Sequence, residues 1–166
     1  MAEITLRGNP IQTNGALPEV GSKAPPITVT GAGFSKVTSA DFAGQTLVLN
    51  IFPSMDTATC ATTVRTFNER AAGIDGATVL CVSADLPPAA GRFCAAEGID
   101  NVSCGSTFKN PEVLDDLGVR ILNGPLEGLA ARAVLVIDGD GTVVHSELVG
   151  EISEEPNYDA ALNAIG

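Results

Sequence analysis

Four cysteines, at positions 60, 81, 94 and 104, and a single histidine, His145, carry the clearest capacity for redox or metal chemistry in this 166-residue chain. A structural metal centre usually shows closely paired thiolate or imidazole ligands. No Cys-x-x-Cys occurs, and His145 is far from the cysteines in sequence, so metal binding is not expected. Thiol redox chemistry, or burial as small hydrophobes, are the readings that remain. Cys60 has the most informative surroundings: Phe52-Pro53-Ser54-Met55-Asp56-Thr57-Ala58-Thr59-Cys60. An apolar run ends at Phe52, Pro53 breaks it, and a helical pattern begins near Cys60. A thiol at a helix start meets free backbone N–H groups and the positive end of the helix dipole, and both favour the nucleophilic thiolate. Thr57 stands about one turn earlier, where its hydroxyl can reach the sulfur or a substrate oxygen. Cys60, Val64, Phe67 and Ala71 share one helical face, so the thiol is expected half-sheltered at the core edge.

Periodicity and punctuation define the elements that must place Cys60. The first thirty-odd residues read as a hairpin and extended segments broken by glycine and proline. Residues 47–52 form a continuous apolar run of central-strand type, and 57–72 carry a helical pattern. Residues 77–82 are a second buried strand. Residues 87–97 are a second helix, with proline in its first turn and Ser83-Ala84-Asp85 ahead of it as a start signal. A short strand is expected at 101–103 and a short helix at 111–117, ended by Gly118. Residues 132–137 and 142–145 flank Asp138-Gly139-Asp140-Gly141, a strong hairpin signal. A helix over 158–165 closes the chain. No repeat, low-complexity tract or linker divides the sequence, so one domain spanning 1–166 is expected. The order implies an α/β, thioredoxin-like fold: a mixed central sheet flanked by helices, with an N-terminal β-hairpin.

Composition narrows the partners. Hydrophobic residues make up 45% and charged residues 17%, enough to build a packed core. Nine Lys and Arg against twenty Asp and Glu give a formal charge of −11. Such a surface repels nucleic-acid phosphates and anionic membranes, and no basic run offsets it. The apolar stretches are strand-sized, too short to span a bilayer. Residues 1–7 lack the basic start and apolar block of a secretory signal, so a cytoplasmic location is expected. In that compartment disulfides are transient and chemical rather than structural.

The block Asn50-Ile51-Phe52-Pro53-Ser54-Met55-Asp56-Thr57, followed by Cys60-Ala61-Thr62-Thr63-Val64-Arg65 and Phe67-Asn68-Glu69, resembles bacterial thiol peroxidases, the atypical two-cysteine branch of the peroxiredoxins. Leu6-Arg7-Gly8-Asn9-Pro10, Ser83-Ala84-Asp85-Leu86-Pro87 and Arg92-Phe93-Cys94-Ala95-Ala96-Glu97-Gly98 are similar to the same family. So are Gly124-Pro125-Leu126, Leu129-Ala130-Ala131-Arg132-Ala133 and Glu155-Pro156-Asn157-Tyr158-Asp159-Ala160-Ala161-Leu162.

The resemblance implies a peroxidase acting on hydrogen peroxide and organic hydroperoxides. By similarity Cys60 is the peroxidatic nucleophile, which becomes a sulfenic acid. Cys94 is the resolving cysteine, closing an intrachain Cys60–Cys94 disulfide that thioredoxin reduces. Thr57 and the Cys60 N–H donate hydrogen bonds, Arg132 supplies positive charge, and Pro53 shields the pocket. Without the resemblance, Arg132 would read as a solvated strand end. No metal, haem or flavin is implied, and a homodimer is. The cysteines lie on different helices, so local unwinding is implied, and Gly91 is expected to ease it near Cys94.

Some positions depart from the family pattern. Ala58-Thr59 replaces the common Pro-Val, and Pro88 stands where an aromatic is common. Cys104 is extra to the expected pair, in an expected loop, and is read as incidental rather than as a second resolver. Cys81 is read as a packed core residue, with a minor role as alternative partner for Cys60 left open. His145 is read as structural. Two other functions share these residues: a redox sensor signalling through its disulfide, and a thioredoxin-fold protein with inert thiols.

Overall fold

The structure, a computed structural model, describes residues 1–165. The chain opens with an antiparallel hairpin, β1 (Glu3–Leu6) and β2 (Asn9–Gln12), turned at Arg7 and Gly8 with φ of 50° and 82°. Pro10 sits inside β2, where an edge position tolerates the missing N–H. A seven-stranded mixed sheet follows. Its members are β3 (Thr28–Thr30), β4 (Lys36–Thr38), β5 (Thr46–Ile51), β6 (Ala77–Ser83), β7 (Ser103–Ser106), β8 (Ala133–Ile137) and β9 (Val143–Leu148). Their spatial order is β4-β3-β7-β6-β5-β8-β9, with β5, β6 and β7 parallel and the outer pairings antiparallel. Helices α1 (Ala58–Ala71), α2 (Pro87–Glu97), α3 (Glu112–Asp116) and α4 (Tyr158–Asn163) complete the fold.

Side chains alternate between the two faces of each strand, and the sheet splits the interior accordingly. Leu47, Leu49 and Ile51 of β5, with Leu80, Val82 and Leu135, pack toward the N-terminal hairpin and α3. Val48 and Phe52, with Val79, Cys81, Val134 and Val136, pack toward α1 and α4. Phe67 of α1 meets Tyr158 of α4 edge to face at 5.2 Å between ring centroids. The expected 138–141 hairpin is present. Asp138 Oδ1 accepts from the N–H groups of Asp140 and Thr142, and Gly141 adopts φ 84°.

Two local expectations are corrected. The strand expected at 101–103 occupies Ser103–Ser106, so Cys104 lies in a strand and not in a loop. Its small residues hide the strand pattern, but Gly105 lets Val29 of β3 approach closely: a Cβ there would fall 2.4 Å from Val29 Cγ2. The α2 start also differs. Its N-cap is Leu86, without a side-chain cap, and Asp85 has other partners.

Candidate active site

Parallel strand β5 carries the chain to Phe52. The loop 53–57 then turns it into α1, whose N-cap Thr57 is extended at φ −89° and ψ 145°. The first helical hydrogen bond runs from the Ala61 N–H to the Thr57 carbonyl at 2.9 Å, which leaves the Cys60 N–H ahead of the ladder. Cys60 is fully buried, where its helical pattern suggests a half-sheltered thiol. It sits one turn before fully buried Val64, and a side chain from a distant strand end lies against it.

That side chain is Arg132, whose Nη2 lies 3.2 Å from Cys60 Sγ while its Nε donates to the Ile152 carbonyl at 2.8 Å. Arg132 is itself only 1% exposed, so the alternative of a solvated strand end does not hold. Its Nη1 is buried with no hydrogen-bond partner among the described residues, which leaves one donor face of the fork available. No acidic side chain forms an ion pair with this guanidinium among the described residues, so its field falls on the sulfur and on whatever lies beside it.

A cleft of about 680 Å³ adjoins the pair, with Pro53, Thr57, Thr59 and Arg132 in its wall. The N-terminal hairpin supplies another wall through Leu6, Pro10 and Ile11. Pro53 is buried. Thr57 reaches the cleft, but its hydroxyl donates to the Ser54 carbonyl at 3.0 Å and not to the sulfur. Thr59 donates to the Ser153 carbonyl at 3.1 Å, tying the helix start to the segment behind Arg132.

Two carboxylates not among the expected site residues organise this region. Asp85 accepts from Ser54 Oγ at 2.9 Å, from the Met55 N–H at 2.9 Å and from Ser83 Oγ at 2.7 Å. It therefore pins loop 53–57 to the segment before α2, a role that neither the helix-start signal nor the family-like Ser83-Ala84-Asp85-Leu86-Pro87 segment indicated. Glu151 accepts from Thr5 Oγ1 and from the N–H groups of Arg7, Gly8 and Ser153. These bonds, led by Ser153 and Gly8, pull its carboxyl down to about 2. Glu151 thus holds the hairpin against the segment whose Ile152 carbonyl orients Arg132.

The remaining thiols share the face on which Cys60 lies. Asn50, Cys81 and Cys104 stand side by side across β5, β6 and β7. Asn50 Nδ2 donates to Thr63 Oγ1 at 3.3 Å and approaches Cys81 Sγ at 3.6 Å, and Thr63 donates to the Cys60 carbonyl at 2.8 Å. Cys81 is fully buried, as a core residue should be. Cys94, on α2, is half-buried and its sulfur lies 3.6 Å from that of Cys104. All four thiols are free, and the cleft that Cys94 lines with Cys104 does not include Cys60 in its wall. His145 pairs with Val136 in β9, outside the cleft wall.

A buried cysteine at a helix start, an arginine fork against its sulfur and a mixed sheet of this topology define a thiol-based oxidoreductase of thioredoxin-like fold. Residues 19–162 match the Redoxin family. The thiol peroxidases of Mycobacterium tuberculosis (strain ATCC 25618 / H37Rv) and Mycobacterium bovis are each 57% identical to the chain over 166 residues, covering 100% of it and 99% of their own length. A peroxiredoxin-like protein from Aquifex aeolicus superposes with a TM-score of 0.94 at 38% identity, over 99% of this chain and 96% of that one. Thiol peroxidase from Chromobacterium violaceum shares the fold with a TM-score of 0.90 at 17% identity, over 97% of this chain and 93% of that one. The chain belongs to the thiol peroxidases, peroxiredoxins of the Redoxin family, and is a thiol-dependent peroxidase.

Proposed function

We propose that Cys60 is the peroxidatic residue and Cys94 the resolving residue of a single catalytic domain that reduces hydrogen peroxide and organic hydroperoxides. The contact between Arg132 Nη2 and Cys60 Sγ at 3.2 Å carries this reading. A fixed cation beside the sulfur attracts the thiolate and then the negative charge that grows on the departing oxygen. Attack on the O–O bond leaves Cys60 as a sulfenic acid and releases water or an alcohol. The unpartnered Arg132 Nη1 and the Cys60 N–H are the donors for the peroxide oxygens. Thr57 joins them when its hydroxyl leaves the Ser54 carbonyl, while Pro53 adds no donor and keeps water from the sulfur.

Cys60 is fully buried, so resolution requires the helix start to open, while peroxide approaches along the cleft that Arg132 and Thr57 line. The Cys94 thiol then condenses with the sulfenic acid, expelling water and closing the Cys60–Cys94 disulfide. Half-exposed Cys94 is the sulfur that an external dithiol can reach. We assign that role to a thioredoxin-type protein, with the chain working as a homodimer in the cytoplasm and without metal, haem or flavin. Among the described residues no helix is long and apolar enough to cross a membrane.

Intact mass after alkylation, on reduced protein given one equivalent of cumene hydroperoxide, tests the assignment. Wild type should lose two alkylatable thiols, mapped to Cys60–Cys94. Cys94→Ser should stop at an oxidised Cys60. A Cys60→Ser variant that consumes peroxide as fast as wild type overturns it.

A further inference from the structure

Resolution by Cys94 leaves one feature of the sheet unused. Cys104 faces Cys94 at 3.6 Å between sulfurs, whereas no hydrogen bond among the described residues joins Cys94 to Cys60. Cys94 and Cys104 line the same cleft of about 350 Å³, with Met55 of the Cys60 loop and Asp85 also in its wall. A disulfide bond measures about 2.05 Å between sulfurs, so the pair is within a small side-chain movement of bonding distance. The folded α2 helix therefore presents Cys94 to Cys104, and its sulfur makes no hydrogen bond to Cys60 among the described residues.

We infer that Cys104 is a second resolving thiol, which takes Cys94 away from the Cys60–Cys94 disulfide as α2 refolds and so returns Cys60 to the reduced state. This rests on the Cys60–Cys94 cycle proposed above. Cys104 Sγ attacks Cys94 Sγ; the Cys60–Cys94 bond breaks, the Cys94–Cys104 bond forms, and the proton of Cys104 ends on Cys60. No electron enters or leaves the chain. As the helix start refolds, the released Cys60 sulfur returns to Arg132, whose charge favours it as the leaving thiolate. The Cys104 thiol is pushed up to about 12, chiefly by its hydrogen bond to Cys81. A basic thiol is a strong nucleophile but is seldom ionised, so the exchange is slower than resolution. One chain then accepts a second peroxide at Cys60 before any external dithiol arrives, and the reductant acts on Cys94–Cys104 at half-buried positions.

Reduced protein is given one equivalent of hydrogen peroxide, sampled over time by acid quench, alkylated and mapped by peptide mass. Cys60–Cys94 should appear first and give way to Cys94–Cys104, with Cys60 alkylatable again. A second equivalent added with dimedone should then yield chains that carry both Cys94–Cys104 and a dimedone adduct on Cys60. Peroxide consumed without reductant should be about twofold greater in wild type than in Cys104→Ser. Cys104→Ala serves as the second variant, with circular dichroism on both, and the wild-type map is decisive if either fails to fold. A wild-type Cys60–Cys94 bridge that persists, or moves to Cys81, overturns the inference and leaves the two-cysteine cycle standing. A wild type in which Cys60–Cys94 never forms overturns both.

Discussion

Arg132 and Cys60 are 72 positions apart, yet Arg132 Nη2 lies 3.2 Å from Cys60 Sγ and both side chains are buried. The pairing of β5 with β8 accounts for this proximity. Ile51, the last residue of β5, is in register with Ala133, the first of β8, so the chain segments before α1 and before β8 leave the same end of the sheet. Arg132 is fixed at its other side by the Ile152 carbonyl, so the guanidinium is pre-oriented before substrate enters.

Replacing Arg132 by Met should slow the first oxidation of Cys60 by on the order of a hundredfold, the loss seen when one preorganised donor is removed. Arg132→Lys should fall between the two, since it keeps the charge but not the fork that spans Ile152 and the sulfur. Single-turnover peroxide consumption measures both, and a Lys variant as slow as Met would show that the fork geometry is what counts.

Thr57 donates its hydroxyl to the Ser54 carbonyl and not to the sulfur. Thr57→Ser should retain most of the rate, while Thr57→Val should lose about tenfold or more, as expected when a hydrogen bond to a charged group is removed. Equal rates for Val and Ser in stopped-flow oxidation would assign the threonine to loop structure alone.

Asp85 joins the loop after β5 to the loop after β6 through three accepted hydrogen bonds. Asp85→Ala should destabilise the protein by about 1.5–3 kcal/mol, the usual range for hydrogen bonds to a charged group. Urea unfolding gives the stability, and hydrogen exchange at Met55 should increase if the loop is released as described.

Gly91 lies inside α2, and a Cβ added there would meet only open space, so alanine fits without strain. Gly91→Ala should favour the folded helix by ~1 kcal/mol and slow Cys60–Cys94 closure accordingly. Disulfide formation as fast as in wild type, measured by quenched alkylation, would separate closure from the unwinding of α2.

Glu151 is held at about 2, below the ordinary glutamate value near 4.3. A depressed carboxyl stabilises the fold above its unfolded-state value, and that contribution disappears as pH falls toward 2. The N-terminal hairpin should therefore stay docked near neutral pH and loosen progressively below about pH 4. Hydrogen exchange in residues 3–12 tests this: Glu151→Gln should show the loosened pattern already at neutral pH, and a pH-independent hairpin would refute the role of Glu151.

The order of strands and helices was legible because each main element carries a local signature: the apolar run of β5, the Asp138-Gly139-Asp140-Gly141 turn and the helical spacing of Cys60, Val64 and Phe67. Ser103–Ser106 was shifted because Ser, Cys and Gly have little strand preference, and β7 depends on β6 and on close packing against Val29. The Pro53, Thr57 and Cys60 segment was readable for the same local reason, as a strand end, a breaker and a helix start. Full burial of Cys60, the turn of the Thr57 hydroxyl toward Ser54, the bonds to Asp85 and Glu151, and the meeting of Cys94 with Cys104 were not. Each of these depends on strand register and on which face of the sheet a side chain occupies, and those are set by pairing between segments far apart in the chain. Local sequence determined which residues can do chemistry and the elements that carry them; only the tertiary structure decided which sulfur lies beside the arginine and which beside another sulfur.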